Sequence, residues 1–172
     1  MGMEHTAKAF DDDLQEIARL VSEMGGLAER QIVESVDALI RRDAALGARV
    51  VAADAQIDQL QRTIEERAVL TIARRQPMAV DLREIVGAMR VAIDLERIGD
   101  LAKNMGKRVV ALDSDFHPLK LIRGIEHMTD LVQSQVKSVL DAYAAHDLPS
   151  AMAVWKGVEE VDAICTSLFR EL

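Results

Sequence analysis

The sequence predicts an all-α protein made of tandem three-helix bundles from an internal repeat, with the second bundle incomplete. Three observations predict it. Aromatics make up only 3% of the 172 residues, while Ala, Leu, Val, Asp, Glu and Arg dominate, a bias that favours packed helices over a β-sandwich. Apolar residues recur at alternating spacings of three and four over long stretches. An ungapped shift of 104 residues aligns Met24 with Met128, Leu27 with Leu131, Gln31 with Gln135, Asp43 with Asp147 and Asp58 with Asp162. Similarity at a fixed offset implies two copies of one unit.

Composition narrows the function classes. Hydrophobic residues are 49% and charged residues 29%, so the chain folds and stays in solution. A net charge of -8 with no basic block argues against nucleic acid as a partner. Cys165 is the single cysteine, which excludes an intramolecular disulfide and fits a reducing, cytoplasmic interior. No window is apolar enough to span a bilayer, and MGMEHTAKAF lacks the apolar core of a signal peptide. Gly2 and Thr6 fit the short myristoylation pattern, read here as a chance match. Direct membrane insertion is not expected, and a membrane role comes through a protein partner.

The first helix is expected over Thr6–Arg42. Asp11, Asp12 and Asp13 sit in its early turns, where the helix dipole favours negative charge. Leu14, Ile17, Val21, Met24 and Ala28 form its apolar face. Gly25 and Gly26 cost about 1 kcal/mol each relative to alanine, which close packing against a neighbouring helix explains. Asp43 marks a turn. The second helix, Ala44–Arg75, carries Val50, Ile57, Leu60 and Ile64 on one face, with Asp54 and Asp58 beside it.

Pro77 breaks that helix, and the third follows with Asp81 as N-cap and Glu84 three residues on, a capping-box spacing. Leu82, Ile85, Met89 and Ala92 continue at a/d spacing, but the next members are Glu96 and Asp100. If the second and third helices fold back at Pro77, Asp58 lies level with Glu96 and Asp54 with Asp100, about 28 Å from the turn. Four such carboxylates repel one another and raise each other's pKa values. A bound cation relieves this. So do arginines, and Arg62 and Arg97 are near enough in sequence. Arg83, Arg90 and Arg97 share one helix face at seven-residue spacing. They read as a solvated stripe with pairs such as Arg90 to Asp94, the alternative being a docking strip for an acidic partner.

A linker, Leu112–Pro118, leads to a fourth helix over Leu119–His146. Asp147 suits an N-cap and Pro149 the first turn of a fifth helix that runs to the end. The repeat divides the chain into Thr6–Ala111, a first three-helix unit, and Pro118–Leu172, the first two helices of a second. The counterpart of Asp81 falls beyond Leu172. The fourth and fifth helices are then expected to expose an apolar strip including Met128, Leu131, Val154 and Trp155, covered by self-association as a homodimer, for which exchange of helices between chains is one route.

Catalytic patterns are absent. None of His5, His117, His127 and His146 follows a glutamate by three residues, as a di-iron bundle requires. One cysteine and scattered histidines exclude a Cys/His zinc centre. There is no G-x-x-x-x-G-K-[ST] loop and no nucleophile motif. The chain is expected not to be an enzyme.

QPMAVDLR followed by DLERIGDLAKN resembles the PhoU family of bacterial phosphate-signalling regulators. The resemblance implies two tandem three-helix bundles and a metal-binding role for the E-x-x-x-D element, Glu96 to Asp100. With Asp54 and Asp58 across the hairpin, these residues form the candidate metal site. In the repeat frame Asp54 maps to Val158 and Asp58 to Asp162, so Asp162 is the remaining candidate ligand of a degenerate second site. Hard oxygen ligands favour magnesium, manganese or iron, with zinc admissible. The resemblance further implies a negative regulator of phosphate uptake and phosphate-starvation signalling, binding a sensor histidine kinase and the ATPase of a phosphate ABC transporter. Rival readings are a metal-dependent phosphohydrolase and a structural adaptor whose carboxylates pair with arginines.

Overall fold

Every described element of the molecule is a helix. The computed structural model describes residues 2–112 and 119–171, with side chains from 9 to 112 and from 121 to 170. The helices are α1 Gly2–Arg41, α2 Ala44–Arg75, α3 Ala79–Ala111, α4 Leu119–Ala144 and α5 Leu148–Glu171. α1 starts four residues earlier than expected from Thr6, and α4 ends two before His146. The linker expected at Leu112–Pro118 lies outside the described residues beyond Leu112.

The turns follow from local chemistry. Asp43 caps α2, its Oδ1 accepting the Leu46 N–H at 2.8 Å. α2 ends where Gln76 turns left-handed (φ 49°) and donates its N–H to Ile72 O, and Pro77 prevents continuation. Asp81 is not the N-cap of α3. Met78 holds that position in an extended conformation and no side chain caps the helix. Asp81 already lies in the first turn, where its charge favours the positive helix end but its backbone has left the capping geometry. Asp147 does cap α5, accepting from both the backbone N–H and the hydroxyl of Ser150.

α2 and α3 form an antiparallel hairpin, and α1 packs against both to close a three-helix bundle. The stripe α3 buries is Ile85, Ala88, Ala92, Leu95, Gly99, Ala102, Gly106 and Val109. It is displaced from the expected one: Leu82 is exposed and Met89 only partly buried. Small residues decide this choice, because they let the backbones close in. A Cβ on Gly106 would stand 2.8 Å from Gly47 O, and one on Gly47 3.0 Å from Gly106 O. On α1 and α2 the expected apolar faces are buried, with Ile17, Val21, Met24, Ala28, Val50, Ile57 and Ile64 nearly inaccessible.

α4 and α5 form a second hairpin, joined to the first bundle through α1. Gly25 makes the joint: a Cβ there would lie 2.6 Å from Leu140 Cδ1. Gly26 faces open space, so close packing explains only the first glycine of the pair. Among the described residues α5 packs against α4 alone. Its outer face leaves Leu148, Trp155, Val158 and Phe169 exposed, Trp155 at 76%. Met128, Leu131 and Val154, expected on the same strip, are half-buried instead.

The glycines give a paired prediction. Gly106→Ala forces two backbones apart and is expected to lower stability by about 2 kcal/mol. Gly26→Ala meets nothing and is expected to raise it by about 1 kcal/mol. Urea melts of the two variants against the parent measure both shifts.

Candidate functional site

The core of the first bundle is split. One apolar cluster gathers Ile17 to Ala28 of α1, Ile57 to Ala68 of α2 and Ile85 to Leu95 of α3. A smaller one holds Ala38, Leu46 and Val109. Between them, on each helix, come polar residues: Gln31 and Ser35 on α1, Asp54 on α2, Lys103 on α3. Gln31, Ser35 and Asp54 are all at most 4% exposed. Ser35 Oγ donates to Ile32 O at 2.8 Å. Gln31 Oε1 has no hydrogen-bond partner among the described residues. It faces Gly99, whose missing Cβ would lie 3.3 Å from that oxygen.

The carboxylates lie on the α2–α3 side of this layer. Lys103 Nζ donates to Asp54 Oδ2 at 2.5 Å and to Asp100 Oδ1 at 2.8 Å. The ammonium thus bridges the hairpin. Both hydrogen bonds hold Lys103 protonated far above its ordinary range. Glu96 is the strained member. Burial raises its pKa, the charges of Asp100, Asp58 and Asp54 push the same way, and Lys103 only partly opposes them. The structure therefore brings Asp54, Asp58, Glu96 and Asp100 into one electrostatic group. Asp162 is not part of it: it is exposed on α5, which does not touch the first bundle.

The residue missed by sequence reasoning is Lys103. Its signal was present, because Lys103 follows Asp100 by three residues and so shares its helix face. Arg62 and Arg97, expected as partners, make no ion pair with these carboxylates, and Arg62 donates instead to Gln59 Oε1.

Whether the set suits a metal follows from its donors. All are hard oxygens, two of the four carboxylates, Asp54 and Asp100, share one ammonium, and the same layer holds an acceptor, Gln31 Oε1, that lacks a donor among the described residues. That chemistry fits a hard cation. The arrangement as it stands serves Lys103, and among the described residues no group of three His, Cys, Asp or Glu is placed to hold a metal.

A profile of the PhoU domain matches residues 21–109, which contain the hairpin and its carboxylates. The chain belongs to the PhoU family. It is 50% identical over 172 residues to the phosphate-specific transport system accessory protein PhoU homolog of Rhizobium meliloti (strain 1021), covering 100% of this chain and 73% of that protein. The crystal structure of PhoU from Pseudomonas aeruginosa superposes with a TM-score of 0.88 at 36% identity, over 94% of this chain and 78% of that one. The phosphate transport system regulatory protein PhoU from Streptococcus pneumoniae gives 0.87 at 25% identity, over 94% and 76%. The PhoU fold of tandem helical bundles is thus confirmed for this chain.

Asp54 is the carboxylate most dependent on its partner, since its side chain is 6% exposed and that of Asp100 47%. Lys103→Met strands the Asp54 charge and is expected to destabilise by roughly 2 kcal/mol. Adding Asp54→Asn should recover most of that loss. A double-mutant cycle in urea measures the coupling, and additive effects would show that the bridge carries no energy.

Proposed function

We propose that this PhoU-family chain is an accessory regulator of phosphate uptake that restrains phosphate-starvation signalling when phosphate is plentiful. In this reading it binds the ATPase of a phosphate ABC transporter and a sensor histidine kinase, on the cytoplasmic side, and works by docking rather than by catalysis. Family membership carries the proposal, since relatives across the whole chain are named as accessory proteins of the phosphate-specific transport system. Among the described residues no helix is long and apolar enough to cross a membrane, which agrees with a role exercised through membrane-bound partners. Reconstituted kinase autophosphorylation tests it. Added chain should suppress phosphorylation only when the transporter is present, and equal activity with and without the chain overturns the reading.

The α2–α3 seam is proposed as the metal-responsive part of this adaptor. Asp54, Asp58, Glu96 and Asp100 would hold magnesium, manganese, iron or zinc, which supplies the positive charge that lets four carboxylates share one seam. This chain's own residues define the condition: the Lys103 ammonium would have to leave Asp54 and Asp100 before those carboxylates could hold a cation. Metal content of purified protein should fall to background in Glu96→Ala/Asp100→Ala, and unchanged stoichiometry would remove the site. Lys103→Met should tighten metal binding on the order of tenfold, about 1.4 kcal/mol, read by isothermal titration. The Lys103 bridge also favours a second reading, a metal-free structural adaptor, for which melting is identical with and without chelator.

Homodimer formation is the remaining proposal, and the exposed outer face of α5 supports it. Trp155→Lys/Phe169→Lys should shift the sedimentation coefficient of a self-associated parent to that of a monomer. A monomeric parent would end the proposal.

A further inference from the structure

α3 carries a charged face that makes no ion pair among the described residues. Arg83, Arg90, Arg97 and Arg108 fall on one side of the helix over about 37 Å and are all exposed. None makes an ion pair among the described residues, although Asp94 stands four residues after Arg90, the spacing at which such pairs form. Between the arginines, Val86, Ile93 and Leu101 are also exposed. The face is therefore basic and apolar at once, on a chain of net charge -8.

It borders a groove. Around the side of α3 from the arginines, Val91, Leu95 and Ile98 face Val136, Leu140 and Tyr143 of α4 across a cleft of about 480 Å³. Both helices lean on α1 and make no direct backbone approach to each other, so the cleft persists between them. Asp94, His146 and Asp147 also line this mostly apolar cleft, and the arginines stand outside it along α3; an amphipathic helix that sets its apolar face in the cleft and its acidic flank over the arginines complements both.

We propose that the Arg83–Arg90–Arg97 face of α3, with the α3–α4 groove beside it, is a docking site for an acidic amphipathic helix of another protein. The inference takes from the adaptor reading only that a protein partner exists, and it names the face and the partner's chemistry. Charge complementarity and periodicity select this occupant. A seven-residue repeat of arginines matches the heptad of a partner helix, with glutamates meeting guanidinium forks and leucines entering the groove. A membrane surface fits less well, because the strip has no aromatic residue to seat at an interface. At long range the net charge repels an acidic partner, so binding depends on short, matched contacts.

The test uses the full chain and a fluorescent three-heptad peptide with Leu at a and d and Glu at e and g. Anisotropy titrations should show binding that weakens with added salt. Arg83→Gln/Arg90→Gln/Arg97→Gln should weaken it by at least about tenfold, or 1.4 kcal/mol, with an unchanged thermal melt, since these exposed side chains make no ion pair among the described residues. Ile93→Glu should have a similar effect. Equal affinity of the triple variant, or equal binding of a Leu/Lys peptide, overturns the proposal. So does arginine-dependent binding to phosphatidylglycerol vesicles without peptide binding, or arginine-dependent self-association in sedimentation. Failure of the adaptor reading is separate, because it shows in the kinase and transporter assay while the peptide still binds.

Discussion

The close approach of α2 and α3 governs the first bundle. Gly47 and Gly106 put backbone oxygens where Cβ atoms would otherwise sit, and Gly99 makes room for Ile57 and Gln31. With the two helices this near, side chains flanking the shared core cannot spread into solvent. Asp54 is pulled almost wholly out of water, and a buried carboxylate is tolerated only with a partner. Lys103 is that partner, and its second hydrogen bond ties in Asp100. Glu96 pays the remaining electrostatic cost, which appears as its raised pKa. The seam thus depends on a cation, and the chain carries one of its own.

The two repeat units place corresponding residues in different surroundings. Gln31 and Gln135 correspond in the repeat. In the first unit α3 lies across Gln31, and its Oε1 is left without a donor. In the second unit, Gln135 donates to Gly157 O at 2.8 Å, and no third described helix covers the pair. Asp54 has become Val158, and both Val158 and Asp162 are exposed on α5. The first unit therefore concentrates buried polar chemistry, while the second presents apolar surface at Trp155 and Phe169.

Much of the fold was legible because helix signals are local. Pro77, Asp43 and Asp147 act within a few residues of themselves, and the three–four periodicity of α1 and α2 marks the faces they bury. The hairpin register was legible too, since a sharp turn makes distance from Pro77 equivalent on both strands of the hairpin. The stripe of α3 was misjudged, because residue size was weighed only as hydrophobicity. Ala88, Gly99 and Gly106 contribute little apolar area, yet they are what allows close packing, so the larger Leu82 is left outside.

By itself, the sequence determined the helical class, the repeat, the family resemblance and the pairing of acidic residues across the α2–α3 hairpin. These depend on short-range periodicity, on caps and breakers, and on a single turn. Only the tertiary structure decided which cation answers the carboxylates and which arginines stay free. Those outcomes depend on competition among side chains brought together from distant segments: Lys103 reaches Asp54 across the hairpin, whereas Arg90 and Arg97 stay exposed. Spacing along one helix can propose such partners, but burial and distance in the packed bundle choose among them.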